Sequence, residues 1–168
     1  LGFESINVDL IYGLPKQSPA SFERTLAQVC ELRPDRIALY AYAHLPERFK
    51  PQRRIVSADL PDASAKIAML SQALQAFMGA GYVYVGMDHF ALPGDALAVA
   101  KRQGRLHRNF QGYSTQPDCD LIGLGVSAIG RVGATYSQNA KTLDEYCDRL
   151  DQGDLPVVRG LALSRDDL

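Results

Sequence analysis

Apolar and polar residues alternate along the first predicted element of the chain, residues 5–15 (SINVDLIYGLP). A two-residue period is typical of a β-strand, and it places the apolar series that starts at Ile6 on one side. The opposite side carries Asn7 and Asp9, where a strand in a core would have aliphatic residues. A buried carboxylate without a partner costs roughly several kcal/mol, so a buried strand predicts that Asp9 meets water, a ligand or a partner. An edge strand with its polar side in solvent is the alternative.

A helix and a second strand follow, and together they predict a β-α-β unit. Ser18 is a candidate N-cap with Pro19 at the first helical position, and the helix must end before Pro34. Residues 36–43 (RIALYAYA) then form the second strand. Such a crossover makes the two strands parallel neighbours, which predicts the α/β fold class. In parallel α/β barrels the carboxyl ends of the strands carry the chemistry. Two segments are predicted to lie at these ends, residues 13–15 (GLP) and 44–46 (HLP).

The remaining patterns are weaker and predict short elements. A polar, basic stretch is predicted as a loop or short irregular helix, and one segment that mixes aromatic, cationic and amide residues shows neither period. In chain order the predictions are an irregular stretch over 47–60, a helix over 61–79, a strand over 82–85, a turn over 86–90, a helix over 95–103, the aperiodic segment 107–115, a glycine-spaced apolar run over 121–130, and a helix from Thr142 whose Glu145 completes a capping box.

Composition and charge restrict the class of protein. With 46% hydrophobic and 22% charged residues, the 168 residues fit one soluble globular domain or a piece of a larger one. A net charge of -1 argues against a nucleic-acid partner. No apolar run approaches the roughly 18 residues of a membrane helix, and we expect a cytoplasmic protein. The three cysteines suggest neither a disulfide framework nor a metal site. Both ends look cut, so an internal fragment is expected.

Several polar residues at strand ends are candidates for chemistry. Asp9, His44 and His89 could be the ligands of a metal-dependent barrel hydrolase, although no spacing specifically supports this, and polar residues that cap loop ends are the alternative. The glycines at 123, 125 and 130 do not have the spacing of a dinucleotide fingerprint. They indicate close approach of the backbone to either a ligand or a packed helix, and the sequence leaves both open.

Four motifs in order carry a resemblance to a known family. They are residues 7–17 (NVDLIYGLPKQ), 42–46 (YAHLP), 86–91 (GMDHFA) and 107–115 (HRNFQGYST). Together they resemble oxygen-independent coproporphyrinogen III oxidase, a radical S-adenosylmethionine enzyme of haem biosynthesis. Related haem chaperones share the first motif and the glycine-rich run in looser form, whereas the last two motifs resemble the oxidase itself. A haem chaperone or haem-degrading relative is therefore the second hypothesis, and the metal-dependent hydrolase is the third.

The resemblance implies a fold and a reaction. Residues 1–160 would be the C-terminal portion of a partial (β/α)6 barrel with appended helices and short strands, and residues 161–168 would begin a truncated C-terminal helical domain. The family uses a [4Fe-4S] cluster and two S-adenosylmethionine molecules. A 5′-deoxyadenosyl radical abstracts hydrogen from a propionate of coproporphyrinogen III, and loss of CO2 and an electron leaves a vinyl group; two such steps give protoporphyrinogen IX. An electron donor for the cluster and a monomeric enzyme are also expected.

The resemblance also implies roles for single residues. Asp9 and Ala43 match family residues that contact the second S-adenosylmethionine, and Ile129 matches one that contacts the first. The family's Cys-x3-Cys-x2-Cys motif is absent from the 168 residues, so this chain alone is expected to hold no metal and to be inactive.

Arg108, beside Phe110 and Tyr113, is predicted to anchor a substrate carboxylate, because a guanidinium binds carboxylates bidentately. The alternative is an ion pair between Arg108 and Asp118 or Asp120 that merely orders the loop.

Overall fold

A computed structural model of the chain describes residues 2–116 and 119–166. It divides the chain into two compact units, Leu1–Thr115 and Gln116–Leu168. Helices and strands alternate in the first unit, so the predicted α/β class is confirmed. None of the helices in the described ranges is long and apolar enough to span a membrane.

The first unit begins with the predicted β-α-β unit. Strand β1 (Asn7–Tyr12) pairs in parallel with strand β2 (Arg36–Ala41), and helix α1 (Pro19–Leu32) connects them. Ser18 caps α1 because its side chain accepts a hydrogen bond from the backbone N–H of Ser21, whose hydroxyl accepts one from Ser18 N in return. The β-α-β unit that the sequence predicts is therefore confirmed.

The next segment joins β2 to the second long helix. Two short 3-10 helices, Lys50–Arg54 and Ser57–Asp59, occupy the stretch predicted as irregular. Helix α2 (Ala63–Gly79) follows, with Asp62 as its N-cap. It packs with α1 on one face of the sheet because both helices bury an apolar stripe there. The fully buried side chains of this core include Phe22, Leu26, Ile37, Met69, Phe77 and Phe90.

Two antiparallel strands complete this sheet. Strands β3 (Val83–Gly86) and β4 (His89–Ala91) form a hairpin, and β4 also pairs with β2, which gives the order β1-β2-β4-β3. The prediction of a turn over 86–90 is thus wrong for Gly86, which ends β3, and for His89 and Phe90, which belong to β4. The prediction of a buried first strand is also wrong for this chain, since β1 lies at the sheet edge and its residues are exposed or half-buried.

A short helix and a hairpin end the first unit. Helix α3 (Ala96–Arg102) begins after its N-cap Asp95, close to the predicted bounds. The segment 107–115, in which the sequence shows neither a helical nor a strand period, forms a two-stranded hairpin from β5 (His107–Asn109) and β6 (Gly112–Ser114). Strands of three residues are too short for their alternation to be recognised in a sequence.

The second unit is built on a three-stranded antiparallel sheet that the sequence analysis did not predict. Strands β7 (Ile129–Val132), β8 (Thr135–Asn139) and β9 (Val157–Ala162) lie in this order, with helix α4 (Leu143–Asp151) between β8 and β9. Thr142 is the N-cap of α4, but its side chain makes no capping hydrogen bond, so the predicted capping box does not form. The domain boundary after residue 160 stays a prediction; residues 167 and 168 lie outside the described ranges.

Candidate functional site

A glutamine holds the backbone at the carboxyl end of β1. The Gln17 side-chain oxygen accepts hydrogen bonds from the N–H groups of Gly13 and Leu14, at 2.6 and 3.1 Å, and its amide donates to the Ile11 carbonyl at 3.3 Å. Gly13 has a φ of 84°, a conformation that glycine adopts without strain. The turn after β1 is therefore fixed by one side chain that uses both its donor and its acceptor.

A second glutamine does the same at the end of β2. The Gln52 side-chain oxygen accepts from Leu45 N at 2.6 Å, and its amide donates to the Ala43 carbonyl at 3.1 Å. Ala43 itself is exposed at this strand end. Sequence analysis missed both glutamines, because a side chain that binds backbone atoms several residues away produces no periodic signal.

Asp9 lies on the face of the sheet opposite the core. Register pairs Asp9 with Ala38 on β2 and Ala38 with His89 on β4, so the three side chains form a row across the sheet on one face. Asn7 Nδ2 donates to Asp9 Oδ1 at 2.6 Å. In the described residues the other carboxylate oxygen has no hydrogen-bond partner, and Asp9 is exposed. Asp9 therefore meets solvent and Asn7, which are two of the outcomes that the sequence predicts for it.

Tyr40 lies on the same face, near both Asp9 and His89. Its ring stands at a right angle to the His89 ring with the centroids 6.3 Å apart. Burial raises the pKa of the Tyr40 phenol above its ordinary value, and the negative charges of Asp9 and Asp88 raise the pKa further. Tyr40 therefore stays protonated at neutral pH and can donate a hydrogen bond on this face.

His89 connects the sheet to the β5–β6 hairpin. Its ring meets the Tyr113 ring edge-on at 5.4 Å, and its Nδ1 atom is buried without a hydrogen-bond partner in the described residues. The Tyr113 hydroxyl lies directly over Gly86, where a Cβ would collide with it. The absence of a side chain at Gly86 thus makes room for the Tyr113 ring, a close approach that no pattern in the sequence predicts.

Arg108 is placed by the same hairpin. Arg108 and Tyr113 are opposite each other in the β5–β6 register, so their side chains leave the hairpin on one side. Arg108 is exposed and makes no hydrogen bond or ion pair with another described residue. Of its two alternative partners, Asp120 instead accepts a hydrogen bond from Gly133 N at 2.8 Å, and Asp118 lies outside the described residues.

In the second unit, the glycine-spaced run precedes β7 as a loop that ends at Ile129. A Cβ at Gly123 would lie 2.8 Å from the backbone carbon and oxygen of Ile129, and one at Gly130 would lie 3.0 Å from the Leu121 carbonyl oxygen. The backbone that these two glycines approach is the chain's own, which is neither of the two alternatives that the sequence left open. Ile129 is the first residue of β7 and is 36% exposed.

The metal-site hypothesis finds no support in the geometry. Over residues 2–116 and 119–166, no three or more His, Cys, Asp or Glu side chains come close enough together to hold a metal ion. His44 instead lies near Tyr42, with 3.4 Å between the Tyr42 hydroxyl and His44 Nδ1. The described residues therefore fit neither the hydrolase site built from Asp9, His44 and His89 nor a cluster of iron and sulfide.

The amino ends of the strands have a different character. Arg36 and Asp95 form an ion pair there at 2.7 Å, and the Asp95 side chain is only 5% exposed. Asp95 also caps α3 by accepting from Leu97 N at 2.8 Å. Asp95 therefore links the start of β2 to the start of α3 at this end of the sheet.

Comparison with known proteins gives close relatives for this chain, although no family model matches it. The chain is 55% identical over 167 residues to the oxygen-independent coproporphyrinogen III oxidase of Pseudomonas aeruginosa and 53% identical to that of Escherichia coli. Each alignment covers 99% of this chain and 36% of the relative. A solved structure of the Escherichia coli enzyme, described as a radical SAM enzyme, matches with a TM-score of 0.95 and 54% identity, over 99% of this chain and 38% of that one.

The chain thus spans little more than a third of the length of these relatives. Both relatives named above carry the same description, and the matching solved structure is also that of a coproporphyrinogen III oxidase. Over almost its whole length, this chain is therefore homologous to the oxygen-independent coproporphyrinogen III oxidases, and the resemblance carried by its four motifs is confirmed.

Proposed function

We propose that this chain is part of an oxygen-independent coproporphyrinogen III oxidase, which converts two propionates of coproporphyrinogen III to vinyl groups and yields protoporphyrinogen IX. The observation that carries the proposal is the match over 99% of the chain at 53 to 55% identity to oxidases with this name. The proposal makes the complete protein an oxidoreductase and leaves this chain inactive by itself.

The proposed fold of the complete protein is a partial (β/α)6 barrel that includes β1 and β2. Two observations support it: β1 and β2 are parallel and joined by α1, and β1 lies at the edge of its sheet. A further parallel strand could pair with that edge, as barrel closure requires. The antiparallel strands β3 and β4 would then lie beyond the last barrel strand.

The proposed cofactor site includes Asp9 and Ala43 for one S-adenosylmethionine and Ile129 for the other. The described residues fit such a ligand at β1 and β2, because Asp9 has one carboxylate oxygen without a protein partner and Ala43 is exposed at the strand end. When bound and reduced by the cluster, S-adenosylmethionine supplies the radical that abstracts hydrogen. Asp9 would accept hydrogen bonds from ligand hydroxyl or ammonium groups, and Tyr40 is placed to donate one.

The cluster ligands of the proposed oxidase must come from residues other than these. The three cysteines, at positions 30, 119 and 147, belong to no group of metal-binding side chains in the described ranges. An external electron donor, cytoplasmic location and a monomeric state complete the proposal.

Arg108 is the proposed anchor for a substrate propionate. The guanidinium is exposed and without an ion-pair partner in the described residues, and it lies on the side of the hairpin where Tyr113 reaches His89 and the Asp9 face. Charge-assisted, bidentate hydrogen bonds to a carboxylate are the strongest that arginine makes. A substrate with four carboxylates offers such a partner.

The test is an anaerobic assay of the complete protein with reconstituted cluster, S-adenosylmethionine, a reductant and coproporphyrinogen III. We expect protoporphyrinogen IX and two molecules of CO2 for each substrate molecule. Firm haem binding without decarboxylation would instead identify a haem chaperone, and consumption of haem would identify a haem-degrading relative. Either outcome would refute the oxidase assignment.

A further inference from the structure

Asn139, at the end of β8, is a buried polar residue of the second unit and is 6% exposed. A buried amide is costly unless its hydrogen bonds are made, so its partners show what it does. Asn139 Nδ2 donates to the carbonyl oxygens of Gly123 and Gly125, at 3.0 Å each.

The backbone around Asn139 holds the same loop. Asn139 N donates to the Ala128 carbonyl at 2.9 Å, and Ser127 N donates to the Ala140 carbonyl at 2.7 Å. From α4, the Tyr146 hydroxyl accepts from Gly125 N at 3.2 Å. The loop 123–128 is therefore fixed along its length by β8 and α4, and the Asn139 side chain binds two of its carbonyls at once.

The loop in turn determines where Ile129 lies. Gly123 is packed against the backbone carbonyl of Ile129, with no room for a side chain between them. A shift of the Gly123 backbone must therefore move the start of β7 as well. We propose that Asn139 is a positioning residue, which holds the glycine loop so that Ile129 is presented correctly to S-adenosylmethionine. This inference rests on the proposed cofactor role of Ile129.

The informative substitution is Asn139→Asp in the complete protein. Aspartate keeps the size but loses both N–H donors, and its charge would face two carbonyl oxygens. We expect the dissociation constant of one of the two S-adenosylmethionine molecules to rise about tenfold, with cluster content unchanged. The matched control is Gln152→Glu, which also replaces an amide by a carboxylate in the second unit. Gln152 is exposed at the end of α4, and in the described residues its side chain makes no hydrogen bond to the loop, so the cofactor affinity of this variant should stay within about twofold of the parent's.

A double-mutant cycle with Ile129→Ala separates positioning from a general loss of stability. If Asn139 acts through Ile129, Ile129→Ala should weaken the binding of the same S-adenosylmethionine molecule. The double variant should then bind that molecule no more weakly than Ile129→Ala alone. A structural role would lower the melting temperature without selecting one of the two binding sites. The second site, proposed at Asp9, is the internal reference in every measurement.

Each outcome has a defined meaning. Unchanged affinity in Asn139→Asp beside weakened binding in Ile129→Ala would overturn the inference and leave the proposed role of Ile129 intact. Unchanged affinity in Ile129→Ala would overturn both. If Asn139→Asp does not fold, Asn139→Ser, which retains one hydroxyl donor and adds no charge, is measured in its place. Equal losses at both cofactor sites in that variant would also overturn the inference.

Discussion

Asp9 carries its charge on the exposed face of β1, with one oxygen held by Asn7 and the other without a protein partner in the described residues. A carboxylate in contact with water needs no partner for the stability of the fold. The proposed cofactor role would use the second oxygen, and the Asn7 hydrogen bond would orient the carboxylate before a ligand arrives.

We therefore predict that Asp9→Asn lowers the affinity for one of the two S-adenosylmethionine molecules about tenfold in the complete protein. The reason is that the amide retains one acceptor but loses the charge. Calorimetric titration gives the affinity and stoichiometry, and the melting temperature should hardly change. The control is Glu31→Gln, the same type of change at an exposed position on α1. Full retention of both cofactor molecules at parental affinity would show that Asp9 is not a ligand.

Tyr40 gives a prediction about pH that does not depend on any cofactor. Its folded pKa is raised above the ordinary 10.0 by burial first, and then by Asp9 and Asp88. The protonated phenol is favoured in the folded state, so its contribution to stability is complete below pH 10 and is lost as the pH rises through the raised pKa.

Asp9→Asn should lower the Tyr40 pKa, but not to its ordinary value, because burial remains. The difference in phenolate absorbance between each protein and its Tyr40→Phe derivative isolates this group during an alkaline titration. Glu31→Gln again serves as the control and should leave the titration in place. A Tyr40 pKa that does not respond to Asp9→Asn would contradict the charge coupling across β1 and β2.

Arg108 gives the third prediction at this scale. Lysine preserves the charge but not the planar, bidentate geometry, so Arg108→Lys should weaken coproporphyrinogen III binding about tenfold and leave cluster content unchanged. Arg105→Lys is the control, because Arg105 is also exposed and pairs with Gln103 on its own turn. Equal Michaelis constants for the parent and Arg108→Lys would remove Arg108 from the substrate site.

The elements that the sequence predicts well are those with a long periodic stretch of apolar residues, or with a capping residue or proline at their ends. The β1-α1-β2 unit follows from alternation in β1, from Ser18 and Pro19 at the helix start, and from Pro34 after it. The antiparallel strands β3 to β9 were mostly missed. Several have three or four residues, which is too short for a two-residue period to be recognised. Strand β9 is longer, but it pairs with β8 across helix α4, so no local pattern indicates the pairing.

The candidate site was predictable to the same extent. Asp9 stands out because a charge interrupts an apolar strand, and its place on the face opposite the core follows from the two-residue period. Its exposure did not follow, since exposure depends on which strands pair with β1. The contacts of His89 with Tyr113, and of Asn139 with the glycine loop, join residues through space in ways that no local pattern encodes.

Gly86 allows a test of how β3 positions the β5–β6 hairpin. In Gly86→Ala, the new methyl group would collide with the Tyr113 hydroxyl, so the ring must move. The backbone of Gly86 also has a φ of 153°, which alanine rarely adopts. We expect a loss of about 1 to 3 kcal/mol in stability, typical of overpacking, together with weaker substrate binding through the displaced hairpin. Denaturant unfolding and substrate affinity are the two measurements.

The matched control for this substitution is Gly94→Ala, because a Cβ at Gly94 meets nothing within 4 Å and its φ is not in the left-handed region. Its stability should remain close to that of the parent protein. A Gly86→Ala variant that is equally stable would show that Tyr113 can leave its place without cost.

For the whole molecule, the proposed site residues are distributed over both compact units. Asp9, Ala43 and Arg108 belong to the first unit, and Ile129 with its support Asn139 belongs to the second. Each unit has side chains that fix the backbone next to a proposed site residue: glutamines at the strand ends in the first unit, and a buried asparagine in the second.

The edge position of β1 affects how this chain could associate with other copies while it folds. Its six residues, NVDLIY, could template pairing with a second copy of the same strand, and one of them, Ile11, is an apolar residue that is 42% exposed. Asp9 is the one charge in this segment, and parallel, in-register pairing would bring two such carboxylates side by side, where they repel each other. The residue proposed to bind a cofactor would therefore also oppose aggregation through this edge.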